Sequence, residues 1–139
     1  MLTAVSCSDA RVEPTDFLKL QKGEAILIRN AGARIDEGVF RSLSVMGTVA
    51  PMGLIAVIHH TDCGGVYISD AEANQRPASR NPNHAHELPA SFGTFGDIGL
   101  DESIRQDVAK LKAWRFLAPT TAVKGFALTL ETGEIREVE

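Results

Sequence analysis

The chain has 139 residues, 44% of them hydrophobic and 23% charged, the range in which one compact core forms, so a single domain spanning 1–139 is expected. A net charge of -4, with Lys and Arg scattered instead of clustered, argues against a nucleic-acid partner. No apolar run nears the ~20 residues of a membrane span and no leader pattern opens the chain, so no membrane partner and a cytoplasmic location are expected.

Leu2-Thr3-Ala4-Val5 reads as a first buried strand, and Pro14 with Phe17, Leu18 and Leu20 as a short helix stopped at Lys22-Gly23. Ala25-Ile26-Leu27-Ile28 gives a second strand, closed by the polar turn Arg29-Asn30-Ala31-Gly32. Between Asp36 and Val49, the apolar residues Val39, Phe40, Leu43, Met46 and Val49 recur every three or four positions, an amphipathic helix, with Gly47 admitting close packing. Leu54 to Ile58 is a third strand, running on to His59. A helix from Val66 to about Asn74, ending before Pro77, follows the Gly64-Gly65 turn. Residues Arg76 to Asp97, rich in Pro and Gly, read as an irregular loop with a turn of helix. A helix from Leu100 to Leu117 carries Ile104, Val108, Leu111 and Phe116 in register, with Asp101 and Glu102 near its positive end. Ala122 to Leu130 is a fourth strand, and Glu134 to Val138 a fifth after the Glu131-Thr132-Gly133 turn.

This alternation predicts an α/β fold: a mostly parallel sheet of four strands in the order 2-1-3-4, a short C-terminal antiparallel strand, and helices on both faces. With the first strand central, the crevice between strands one and three is a topological switch point, where ligands bind at the carboxyl ends of strands. Cys7 follows strand one, and His60 and Cys63 follow strand three. Two thiolates and an imidazole suit Zn2+, and three protein ligands leave the open position of a catalytic site. The alternatives for these residues are a disulfide, or two small core cysteines and a hydrogen-bonded histidine. Asp9 and Arg11 stand beside the first thiol. An ionised Asp9 is an acceptor only, able to take the hydrogen of a zinc-bound hydroxide and leave a lone pair for attack, and Arg11 would keep it ionised.

Cys7-Ser8-Asp9-Ala10-Arg11, Arg29-Asn30-Ala31-Gly32 and His60-Thr61-Asp62-Cys63-Gly64, in this order and spacing, resemble the β-class carbonic anhydrases. The likeness covers nearly the whole chain and is to the short members with the His59-His60 pair, among relatives that include carbonyl sulfide and carbon disulfide hydrolases. It implies one zinc per chain on Cys7, His60 and Cys63, an Asp9 and Arg11 dyad, and a homodimer or homotetramer with active sites near the subunit interface. No separate organic cofactor is implied. Hydration of CO2 to bicarbonate is the expected reaction, with Gly64, at a helix start, offering a backbone N–H to the developing anion. Carbonyl sulfide or carbon disulfide hydrolysis by the same chemistry, a zinc scaffold without catalysis, and a thiol enzyme using Cys63 are the alternatives. His59, His84 and His86 have the intrinsic pKa for proton relay, although a packing or surface role is the simpler reading of each, and His84 with His86 hints at a second metal site. Phe92-Gly93-Thr94-Phe95-Gly96 reads as a packed loop more than a substrate lid.

Overall fold

Five strands form one sheet in the order β2-β1-β3-β4-β5 in the computed structural model, which describes residues 1–139. The strands are β1 (Leu2–Cys7), β2 (Ala25–Asn30), β3 (Leu54–His60), β4 (Ala122–Leu128) and β5 (Ile135–Val138). The first four are parallel and β5 runs antiparallel to β4, as the order of apolar runs predicts. β1 is longer than its apolar run because pairing with β2 continues through Ser6 and Cys7, opposite Arg29 and Asn30. β4 ends at Leu128, not Leu130, where Thr129 turns to bond Glu134.

Period-two alternation splits the interior into two layers. Ala4, Ala56, Ile58 and Leu128 pack on one side with Phe17 and Leu18, whereas Val5, Ile55, Val57 and Val123 pack on the other. That second layer is closed by Val39 and Leu43 of α2 (Glu37–Val49) and Leu111 of α5 (Leu100–Lys112). The same alternation sends neighbouring histidines to opposite faces: His59 goes toward α5 and His60 toward the first layer.

Asp36 caps α2 by accepting from the Val39 N–H at 2.8 Å. The expected stripe is narrower than its sequence period, for Val49 is exposed past the edge of the sheet. Gly47 does admit a close neighbour, since a Cβ there would lie 2.8 Å from the Met52 methyl. The first helix, α1 (Pro14–Phe17), is a single turn and stops before Leu20.

Three expectations need correction. The helix expected over 66–74 is two elements, α3 (Gly64–Tyr67) and α4 (Asp70–Arg80), separated by an extended Ile68. Ser69 caps α4 in a reciprocal box with Glu72, which starts a new helix there, and Pro77 lies inside it. Pro77 removes one interior hydrogen bond on a helix with no buried residue, and α4 ends three residues later. Residues 82–87 form a 3-10 turn, the turn of helix expected within that loop. Finally, α5 ends at Lys112 and not Leu117, leaving Phe116 82% exposed.

Candidate metal centre

β1 and β3 are neighbours, so their carboxyl ends deliver Cys7 and His60 side by side, and the turn after β3 brings back Cys63. All three side chains are buried, with ligand atoms within 4.8 Å of one another. The two sulfurs are 3.9 Å apart, far beyond the ~2.05 Å of a disulfide. A tetrahedral ion with ~2.3 Å metal–sulfur bonds would separate two sulfurs by ~3.8 Å. The spacing fits an ion. His60 Nδ1 is 2.7 Å from the Thr61 carbonyl, to which it donates. Nε2 is then the unprotonated nitrogen, and it is buried without a hydrogen-bond partner. An orphaned imidazole nitrogen beside two thiols is costly unless something binds there, and a metal that accepts N and S ligands answers it.

The electrostatics agree. The Cys63 side chain holds the Cys7 thiol well below its usual range, against the opposing effect of burial. Backbone N–H groups of Asp9 and Gly32, each 3.4 Å from Cys7 Sγ, add to this. Cys63 moves the other way, pushed up by the Cys7 sulfur and then by burial. Two neighbouring sulfurs resist ionising together, so the pair holds a proton until a cation takes its place. Burial alone would lower His60, but the Cys7 sulfur, the Thr61 carbonyl and the Asp9 charge together outweigh it and raise the group.

Asp9 lies at the rim of the same cavity, in a fork from Arg11. Oδ1 accepts from the Arg11 backbone N–H at 2.9 Å and Nε at 3.0 Å, and Oδ2 accepts from Nη2 at 2.7 Å. The Arg11 side chain, then its backbone N–H, hold the Asp9 carboxyl far below the usual carboxylate range. Arg11 is itself anchored, donating to Asp62 Oδ2 at 2.6 Å and the Asp62 carbonyl at 2.9 Å, while Tyr67 OH donates to Asp62 Oδ1 at 2.7 Å. Arg29 braces the loop from below, donating to the carbonyls of Cys7, Asp9 and Val12. The Asp62, Tyr67 and Arg29 roles were not anticipated. Arg11 reaches Asp62 across 51 residues and Arg29 reaches its three carbonyls across 17 to 22, pairings that no local pattern encodes, whereas Tyr67 meets Asp62 five residues away.

Above the cluster is a cavity of about 400 Å3 lined by Cys7, Asp9, Cys63 and Gly64, with Ala31, Ile68, Ala73 and Phe92 making it largely apolar. Gly64 lies at the site, but α3 is a single turn, so its terminal dipole is small. Phe95 is the keystone beneath: 1% exposed, it presses on Gly32 and Gly65, and its N–H donates to the Gly65 carbonyl at 2.8 Å. The loop expected merely to pack therefore does two things, since Phe92, Gly93 and Thr94 also line the cavity.

The other histidines are not in the metal cluster. His59 is sealed in the interior, with Nδ1 2.8 Å from Ser103 Oγ and Nε2 3.2 Å from Asp107 Oδ2, and Arg34 Nε lies 2.9 Å from that same oxygen. These ion contacts are close but not linear hydrogen bonds, and no relay path to solvent starts there. Removing a buried partner strands the charge opposite it. Asp107→Ala is expected to lower the unfolding free energy by ~3 kcal/mol in urea denaturation while leaving metal content unchanged. His84, on the surface, is 2.6 Å from Glu87 and stacks loosely on His86, but the three are not among the groups whose ligand atoms lie within 4.8 Å of one another.

A family model described as carbonic anhydrase matches residues 2–92. The chain belongs to the carbonic anhydrase family. Among curated relatives of the β class, β-carbonic anhydrase 1 of Mycobacterium tuberculosis is 28% identical over 137 residues, covering 99% of this chain and 81% of that protein. A carbon disulfide hydrolase of Saccharolobus solfataricus is 23% identical, with 98% and 76% covered. The solved carbonic anhydrase of Streptococcus mutans superposes with a TM-score of 0.87 at 33% identity, over 99% of this chain and 81% of that one. The β-carbonic anhydrase family thus contains enzymes of both names, and the three buried side chains that could hold a metal lie where this sheet leaves its switch point. No helix is long and apolar enough to cross a membrane.

Proposed function

We propose that the protein holds one zinc ion on Cys7, His60 and Cys63 and hydrates carbon dioxide to bicarbonate. The observation that carries this is the orphaned His60 Nε2 grouped with two sulfurs that line a cavity whose lining also bears an ionised carboxylate. Bound zinc supplies Lewis acidity, bringing the pKa of water toward ~7 so that hydroxide is available at neutral pH. The rest is done by the chain. Asp9, ionised and acceptor-only, takes the hydrogen of the attacking oxygen nucleophile at its carboxylate and leaves a lone pair free to meet the carbon. Arg11 keeps that carboxylate charged, fixed and off the metal. The walls of Ala31, Ile68, Ala73 and Phe92 receive a neutral linear molecule without competing for it by hydrogen bonds, and Gly64 presents backbone to the anion that forms.

Because the walls are apolar, the same apparatus would serve hydrolysis of carbonyl sulfide or of carbon disulfide, the second being the activity named for several relatives. Stopped-flow assays of the zinc-loaded protein on CO2, carbonyl sulfide and carbon disulfide separate these readings. CO2 is expected to be the fastest. A chain with one zinc and no activity on any of the three gases would be a scaffold. We further propose a homodimer or homotetramer located in the cytoplasm; the assembly is supported by the exposed apolar residues Tyr67, Ile68 and Ile98, of which Ile68 lines the cavity, and light scattering tests the subunit number.

Zinc affinity should depend on acidity in a specific way. Binding must displace the proton held by the thiol pair, so log apparent affinity should rise with pH. As pH falls through the raised pKa of His60, a further proton must leave and the slope should steepen. Competition titrations with a chromophoric chelator at several pH values check this, and a flat profile would exclude thiol ligation.

A further inference from the structure

The cavity is lined from separate parts of the chain. Ile68 and Ala73 come from just before and within α4, and Phe92, Gly93 and Thr94 come from beyond the 3-10 turn. One side chain joins them. Asp70, the first residue of α4, accepts from the Ser91 hydroxyl at Oδ2 (2.6 Å), and at Oδ1 from both the Thr94 hydroxyl (2.7 Å) and the Thr94 N–H (3.1 Å). The Ser91 oxygen in turn accepts from the Gly93 N–H at 3.2 Å. Charge-assisted bonds of this length are the strong kind, and three of them converge on one carboxylate.

The inner end of the same loop is fastened by other means. Phe95 N–H donates to the Gly65 carbonyl, Gly99 N–H donates to the Phe95 carbonyl, and Gly96 is packed so closely on Val66 that a Cβ there would lie 2.3 Å from its carbonyl oxygen. Loss of the Asp70 contacts would therefore free residues 91–94 while leaving Phe95 seated.

We propose that Asp70 is a positioning residue that clasps Ser91–Thr94 to α4 and so sets the width of the entrance to the Cys7, His60 and Cys63 cluster, admitting small linear molecules and refusing larger ones. The proposal deepens the functional reading by giving the cavity a size limit. It rests on that reading only for the identity of what enters, since the entrance itself is tested without metal or turnover.

The two thiols report on the entrance directly. In the full chain, reduced and metal-free, rates of reaction are compared for iodoacetamide, which is small, and for 5,5′-dithiobis(2-nitrobenzoate), which is bulky. Asp70→Ala is expected to accelerate the bulky reagent at least tenfold and the small one less than threefold. Asp70→Asn keeps an acceptor oxygen for both Thr94 donors and should stay within threefold of wild type for both reagents. Thr94→Val, which removes one donor at constant shape, should fall between and remains informative if Asp70→Ala does not fold. Unchanged rates in Asp70→Ala and Thr94→Val would overturn the clasp, and so would equal acceleration of both reagents, the signature of a loosened fold. A zinc-loaded wild type inactive on all three gases would sink the proposed function while leaving the size selectivity to decide the clasp.

Discussion

Cys63→Ala, and equally Cys7→Ala, should cost the protein its zinc. Structural zinc sites are worth ~10–16 kcal/mol in total, so the loss of one ligand is expected to cost ~3 kcal/mol or more, at least ~100-fold in affinity. The effect should be nearly the same for both cysteines, because each supplies one sulfur of a pair 3.9 Å apart. It should also exceed that of any change at the cavity rim. The fold should survive, since Cys7 and Cys63 are small members of a layer also built from Ala4, Val12, Ile58, Phe95 and Leu128. Metal content after dialysis against a weak chelator, with circular dichroism as the control, reads the result. A variant that retained a full equivalent of tightly held zinc would mean that the cysteine is packing and not ligand.

Arg11→Ala should separate metal from chemistry. The guanidinium touches neither sulfur nor imidazole, so zinc content should stay at one per chain. Without the fork, Asp9 loses the two Arg11 side-chain contacts, one on each oxygen, and keeps only the backbone N–H of residue 11 on Oδ1. The carboxylate is then free to turn into the cavity and take the position meant for water. Turnover on CO2 is expected to fall by ~100-fold or more, in line with the loss of a preorganised electrostatic partner. Arg11→Lys should recover little, since an ammonium cannot make the planar two-pronged contact. Asp9→Asn should lose activity as well, because an amide can donate where an acceptor is needed. Wild-type turnover in Arg11→Ala would remove the dyad from the mechanism.

The sheet was legible because its strands are short, apolar and separated by strong turn signals, and the order 2-1-3-4 expected with the first strand central is the one observed, extended by β5. From that order alone, Cys7, His60 and Cys63 are placed at one crevice. The errors have local causes. Ser69-x-x-Glu72 is a capping box written in the sequence, and weighing it above the apolar residues Val66 and Ile68 would have started α4 at the right place. Val49 and Phe116 continue a helical period beyond the surface they were meant to cover, because periodicity says nothing of where the sheet ends. Other features had no local signal. Arg34 and Asp107 are 73 positions apart, and Asp70 and Thr94 are 24 apart, so their pairing exists only once the sheet and the long loop are assembled. His59 lies between. Its inward direction could have been read from strand alternation next to His60, but its partners on α5 could not.

X-ray absorption at the zinc edge of the purified full chain tests the central geometry most directly. Two sulfurs at ~2.3 Å, one nitrogen at ~2.0 Å and one further light-atom ligand that exchanges with added anions are predicted. A shell without sulfur, four protein ligands with no exchangeable position, or a Cys7–Cys63 disulfide in the metal-free chain as isolated would contradict it.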